Sequence, residues 1–569
     1  MSEDKKQKIL FTIAYPLYGT GSGTDTRNVM DAAKKSGYEV SALCADNKTT
    51  YEKDPEIKYF TVHFKSLAED AEVIPGQCNF PYIMYTSHPD GKTLNYFTPE
   101  ASLDIILEYN SAFEKTLHKA ISEVKPDLIN AQHNWLLSAQ VARTDIPMVL
   151  KIHGTDLMGY VKSKELVEKL SESIANNSNE ELKNKAEEII AKSSGAKEIC
   201  TRLNSIIEEN KTDLEAVELL NLYKEITKYR LYISESEYAA RHADEVIVIS
   251  EDQKKRFEEL FPKEAGKVNL IGNGYNTDVF YVGEAHKEDV LPKLISANTS
   301  DGKIPMDYDD LIVFVGKFAD FKGIDSMLLA NKIYDERLEK LGRKALTVIV
   351  GSGQLEEALK TETKDLELKN THFVGRQGHD IIRPLQNLAT VSLIPSRDEP
   401  FGLVVIEGTS CGHPVIGSNS GGIPDILNTE KVELDSSKDE IVTKLGVLIK
   451  PLPKAPKTLT KEQAENLNSI AYTYFNSDKN AKPSILSSLA KRLNVSKEEL
   501  QAFFKAYEES TEALADSVVK IATKEYEFDN DEIAKYTRDN FSQAVINEKT
   551  VKVYDSAIEK HKKKVISRD

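Results

Sequence analysis

The chain has 569 residues, too many for one hydrophobic core, so two domains with insertions are expected. Hydrophobic residues make up 40% and charged residues 29%, a globular balance, and no run reaches the roughly 18 apolar residues that a membrane helix needs. With 74 basic against 91 acidic residues the formal charge is -17, which disfavours general nucleic-acid or anionic-membrane binding and leaves any anionic ligand to a few local cations.

The opening MSEDKKQKILFTIAYPLYGTGSG is charged, then apolar only briefly before a glycine loop, and reads as a first strand rather than a signal peptide. After KILFTIA, Gly19, Gly21 and Gly23 miss the GxGxxG spacing of a dinucleotide fingerprint, so the loop reads as a general nucleotide-binding turn or a plain one. KYFTVHF, DLINAQH and PMVLKIH continue the strand series. The second ends at His133, beside the only tryptophan, Trp135; the third runs into His153-Gly154-Thr155-Asp156. By residue type alone, a histidine at a strand end is more often structural than catalytic. From Tyr160 to Ala240 long polar helices intervene, and Leu214, Val217, Leu220, Tyr223, Ile226, Tyr229 and Ile233 form one stripe expected to pack against the N-terminal domain. EVIVIS and VNLIGNGYNTDVF then close a first domain expected over 1–282, with its insertion at about 160–240. Cys44, Cys78, Cys200 and Cys411 form no CxxC pair, which points to a reducing, cytoplasmic setting and away from structural zinc.

The second domain is expected over 283–530. LIVFVG, ALTVIVG, THFVG, VSLIPS, HPVIGS and GVLIK alternate with helical stretches, the pattern of a doubly wound parallel sheet, whose ligands bind at the carboxyl ends of the strands. Lys317 and Lys322 follow the first of these strands, and Arg376 follows the third. VSLIPS delivers Glu399; after Phe401, Gly402 turns the chain into a helix, LVVIEGTSC, that stops at Gly412 and carries Glu407 about two turns in. The N–H groups of Gly402, Leu403 and Val404 open that helix and suit a phosphate oxygen, while two carboxylates beside a phosphate suit hydroxyls. The stretch therefore reads as a site for a phosphate-linked sugar, against the plain alternative of two solvated glutamates. Ser420-Gly421-Gly422 turns again, and Pro424 fits the first position of another helix. Residues 451–515 form a second helical insertion, in which SSLAKRLNVSKEELQAFFKAY has a helix-turn-helix outline that the acidic chain assigns to an ordinary hairpin.

Glu399-x7-Glu407 behind an apolar strand, with Phe401-Gly402 after the first glutamate and Gly421-Gly422-Ile423-Pro424 downstream, closely resembles the signature of the retaining family 4 glycosyltransferases. The likeness covers most of the chain outside the two insertions and departs from the family at Asp425, more often Glu, and at Lys317, commonly Arg, where a point charge replaces a bidentate fork. It implies an α/β GT-B fold, two Rossmann-like doubly wound domains facing a cleft, with a closing helix over 531–569 that crosses back to the first domain. It further implies His153 and Glu399 as catalytic residues. Gly23, Lys317, Lys322, Phe401, Gly402, Leu403 and Glu407 would hold the donor, and Asp25, Arg27, His133 and Asp156 the acceptor. The donor would be a nucleotide-diphosphate sugar, UDP-linked by family habit, and the acceptor a small molecule, a glycan or a lipid. No metal and no other cofactor are expected, since two lysines and a helix start could stabilise the leaving diphosphate; self-association is left open. Three alternatives stand beside this reading: Glu399 as a covalent nucleophile, a nucleotide-sugar epimerase or hydrolase of the same fold, and a non-catalytic nucleotide-sugar-binding regulator.

Overall fold

The structure, a computed structural model, describes residues 6–47, 54–66, 73–85, 93–432 and 439–566, apart from scattered positions between 454 and 479. Two compact units emerge, one of Met1–Gly272 with Ile546–Asp569, the other of Asn273–Val545. The sequence boundaries at 282 and 530 therefore lie ten and fifteen residues from the ones observed, and the helix Asn530–Phe541 stays with the second unit.

The first unit is built on a seven-stranded parallel sheet. Its strands are β1 (Lys8–Thr12), β2 (Glu39–Asp46), β3 (Lys58–His63), β6 (Leu128–Gln132), β7 (Met148–Ile152), β8 (Glu245–Val248) and β9 (Val268–Leu270), with a short ladder of β4 (Ile83–Met84) and β5 (Leu94–Asn95) beside it. The spatial order is β3-β2-β1-β6-β7-β8-β9. Every residue of β6 and β7 is buried, as continuous strands covered on both faces must be. The order reverses between β1 and β6, so the loops leaving those two strands diverge and open the crevice where such sheets bind ligands.

The helical insertion divides its apolar stripe between two partners. Leu219, Leu220, Tyr223 and Ile226 of the helix Leu214–His242 form a small core of their own with Leu182, Ala186, Ile189 and Leu203. Only the second half of the helix, through Tyr229 and Tyr232, joins the core of the sheet. Leu214, expected to start the stripe, is 79% exposed. The expectation of one packing face fails because the sibling helices Glu180–Lys192 and Ala196–Glu209 cover the first half.

The second unit repeats the design with β10 (Asp310–Val315), β11 (Ala345–Val350), β12 (Thr371–Phe373), β13 (Val391–Ile394), β14 (Val415–Ser418), β15 (Glu440–Thr443) and β16 (Gly446–Ile449). The order is β12-β11-β10-β13-β14-β16-β15, parallel except for the antiparallel edge strand β15, and it reverses between β10 and β13. The helix-turn-helix outline folds as the helices Lys482–Leu493 and Lys497–Ala522, whose Leu486, Leu489, Leu493, Leu500, Phe503, Phe504 and Tyr507 are buried in this unit's core. Among the described residues, no helix is long and apolar enough to cross a membrane. The last helix, Gln543–Ile566, passes at Ile546 into the first unit, where Tyr554 is fully buried. The chain thus forms two Rossmann-like doubly wound units with two helical insertions.

Candidate active site

Both switch points carry polar side chains, but of different kinds. In the second unit, Lys317 and Lys322 leave β10 and Glu399 leaves β13, the two strands that flank the reversal. Lys322 Nζ donates to Glu399 Oε2 at 2.5 Å, and Ser396 Oγ donates to the same oxygen at 3.3 Å. Both partners of the pair are largely covered, at 14% and 11% side-chain exposure, so water screens the contact only partly. The Lys317 ammonium is held below its usual range, first by burial and then by the charge of Lys322. Burial and a neighbouring cation thus both disfavour the charged form of Lys317.

The backbone around this pair is drawn tight. Gly323, at φ +67°, sits so close to β13 that a β-carbon would lie 2.1 Å from the carbonyl oxygen of Pro395. Gly421, at φ +56°, would likewise drive a β-carbon to 2.0 Å from the carbonyl oxygen of Glu399, and the N–H of Gly422 donates to that same oxygen at 2.7 Å. Side chains at either position would push the lysine loop and the carboxylate loop off the sheet. The helix Leu403–Ser410 starts at Gly402, itself left-handed at φ +104°, and no side chain caps that start among the described residues. Glu407 rides on this helix, partly buried, and burial pushes its carboxyl up to about 7. Phe401 is buried, its backbone against Gly422, so it shapes the loop rather than offering its ring to a ligand.

Sequence reading missed the brace beneath these loops. Arg397, 6% exposed, forms a bidentate pair with Asp325 at 2.9 and 2.5 Å and donates to the carbonyl of Asp320 at 2.5 Å, while its own N–H donates to Phe321 O at 2.7 Å. Tyr507, from the second insertion, donates to Asp325 Oδ2 at 2.6 Å. The arginine thus ties the loop bearing Lys322 to the loop bearing Glu399. Its signal was available: an arginine two residues before Glu399, at the end of an apolar strand, must be paired if it is buried.

At the first unit's switch point histidines stand where the second unit has lysines, and the charged side chains nearby are engaged within the unit. Asp25 is fully buried against Lys151, 2.6 Å away and itself 3% exposed, and so props the glycine-loop helix against β7 instead of presenting its carboxylate to an acceptor. Gly23 lies in the first turn of the helix Gly21–Lys35, where its N–H is already taken by the Thr20 hydroxyl at 3.0 Å. Arg27 stacks on Tyr18 with its guanidinium carbon 4.1 Å from the ring centre and donates to Thr24 Oγ1 at 3.3 Å. His133 takes φ +69° at the turn out of β6 and packs between Tyr15 and His153, with ring centres 4.8 and 4.5 Å away. His153 bonds Gln132 through Nε2 at 2.7 Å. Both imidazoles are held well below their usual range, first by burial, so both are neutral. Asp156 accepts the Asn134 N–H at 2.8 Å, and burial raises its carboxyl to about 6. The structure thus gathers Lys317, Lys322, Glu399, Gly402 and Leu403 around one switch point, and His133, His153 and Asp156 around the other. Among the described residues, no group of three or more His, Cys, Asp or Glu side chains is placed to hold a metal ion.

Residues 299–450, which include Lys317, Lys322, Glu399 and Glu407, match the family model described as Glycosyl transferases group 1. An uncharacterised glycosyltransferase of Methanocaldococcus jannaschii is 31% identical over 188 residues, 33% of this chain and 45% of that protein. The D-inositol 3-phosphate glycosyltransferase of Nocardiopsis dassonvillei is 26% identical over 190 residues, 32% of this chain and 42% of that one. The chain thus covers less than half the length of these curated relatives. Among solved structures, the sucrose-phosphate synthase of Thermosynechococcus elongatus superposes with a TM-score of 0.47 at 18% identity, over 92% of this chain and 99% of that one.

Proposed function

We propose that this protein is a retaining glycosyltransferase that moves a sugar from a nucleotide-diphosphate donor, UDP-linked by family habit, to a hydroxyl acceptor of small-molecule, glycan or lipid type. The observation that carries this reading is the covered Lys322–Glu399 pair, with Lys317 beside it, at the reversal of a sheet whose segment 299–450 matches group 1 glycosyl transferases. On this reading the diphosphate lies against Lys317, Lys322 and the helix start at Gly402. One ammonium about 4 Å from a phosphate is worth roughly 4 kcal/mol at an effective dielectric near 20. As the bond from the anomeric carbon to the diphosphate oxygen breaks, these groups stabilise the departing negative charge. The acceptor oxygen bonds the anomeric carbon on the same face, and its proton passes to the departing diphosphate. Glu399 holds sugar hydroxyls and Glu407 the ribose. The engagement of Glu399 by Lys322 favours this holding role over covalent attack, because an ion-paired carboxylate is a weaker nucleophile.

The test is to incubate the protein with a panel of nucleotide sugars and to follow both its melting temperature and the release of nucleoside diphosphate. At least one donor is expected to raise the melting temperature and to turn over when an acceptor is supplied. Lys322→Ala is expected to lower that turnover at least about tenfold, ~1.4 kcal/mol. A panel in which no donor binds or reacts would defeat the reading.

A further inference from the structure

A line of buried side chains runs from the chain's last helix to His153. Asn130 Nδ2 donates to the Tyr554 hydroxyl at 2.7 Å; Gln132 Nε2 donates to Asn130 Oδ1; and Gln132 Oε1 meets His153 Nε2 at 2.7 Å. Asn130 and Gln132 lie two apart on β6 and so share one face of the sheet. Tyr554 and Asn130 are fully covered and Gln132 nearly so, and a buried amide without a partner is costly, which holds the line in one arrangement.

With the amide nitrogens of Asn130 and Gln132 turned toward Tyr554 and Asn130, each link sets the next. The Asn130 amide nitrogen is spent on Tyr554, so its oxygen is the end that receives Gln132. The Gln132 nitrogen is spent in turn, so its oxygen is the end that faces His153. An amide oxygen has no proton to give, and therefore Nε2 of His153 must carry the hydrogen. A neutral imidazole has one N–H, and burial together with the Lys151 charge keeps this ring neutral. The lone pair is then on Nδ1.

We propose that Tyr554, Asn130 and Gln132 are positioning residues that fix His153 as its Nε2–H tautomer and so present Nδ1 as a fixed hydrogen-bond acceptor for a substrate hydroxyl. The purpose of the device rests on the sugar-transfer reading; its geometry does not. A sugar or acceptor hydroxyl could donate to a lone pair held this way, whereas the other tautomer would offer a second donor in its place. The C-terminal helix thereby acquires a part in the site beyond packing, through a tyrosine 401 positions from the histidine it orients.

The full chain, labelled with nitrogen-15 at histidine, tests this without any ligand. Two-bond proton–nitrogen spectra distinguish a protonated ring nitrogen from a bare one, and the His153→Asn variant identifies the signals. In the wild type, Nε2 is expected protonated and Nδ1 bare. Gln132→Leu is expected to draw the two nitrogen signals toward each other as the tautomers mix, and Tyr554→Phe to do so by a smaller amount. With a donor that turns over, Gln132→Leu is expected to lower kcat at least fivefold while leaving the donor KM within a factor of two. A wild-type spectrum with Nδ1 protonated, or variants that all retain the wild-type pattern, would overturn the proposal. Because the spectra need no substrate, a donor panel that fails beside spectra as expected would sink sugar transfer alone.

Discussion

The two sheets share a topology and differ in electrostatics. At the reversal of the second sheet, a lysine pair and a glutamate crowd together, with one lysine's ammonium held down by burial and by its neighbour's charge. At the reversal of the first, two histidines are neutral, and the charged pair nearby, Asp25 with Lys151, is fully internal and faces no ligand. On the proposed reading one architecture carries two sites, a lysine-lined one for the anionic donor and a histidine-lined one for hydroxyls. The difference teaches that the topology chooses where ligands bind and the buried charges choose which.

The sharpest way to break the comparison is to unbalance the internal pair of the first unit. Lys151→Ala leaves the Asp25 carboxylate buried without its cation, and removing one partner of a buried pair costs about 3–5 kcal/mol. Denaturant unfolding of the full chain should show a loss of that size in the first unit, and a loss below ~1 kcal/mol would mean that Asp25 reaches water and is not an internal partner of Lys151.

A smaller effect sharpens the contrast from the other side. Glu407 has a folded value near 7, above the value near 4.3 of a free glutamate, so the folded state binds the extra proton. Its favourable contribution is full below pH ~4 and is lost as pH rises through 7. Glu407→Gln removes that dependence and is expected to stabilise the second unit by roughly 1 kcal/mol at pH 8, after discounting for screening, and by close to nothing at pH 4.5. Thermal unfolding at the two pH values checks it; an equal effect at both would show that the carboxyl is not held up by burial.

How much of this could be read from the sequence depended on the range of the interaction. Strands such as β10, β11 and β13 were visible because parallel strands buried on both faces are unbroken apolar runs, and the helix after β13 because glycines punctuate it, whereas the half-covered antiparallel edge strand β15 has no such run and was not read. The pairing of Lys322 with Glu399 was not, since partners 77 residues apart leave no local trace. In sequence Asp25 reads as an acceptor contact because its partner stands 126 residues away, although a lysine within the apolar run PMVLKIH is itself a sign that some carboxylate must meet it. Gly23 looked free to wrap a phosphate until Thr20 proved to hold its N–H. The stripe on Leu214–His242 had the right period, but periodicity says which face is apolar and not what covers it.

The central claim, that the second unit's switch point holds a nucleoside diphosphate through its lysines, is tested most directly by calorimetric titration of UDP, ADP and GDP into the full chain and into Lys322→Ala. The account predicts that at least one of the three binds the wild type and binds the variant at least about tenfold more weakly, ~1.4 kcal/mol. Equal affinity in both proteins, or no binding to either, would contradict it.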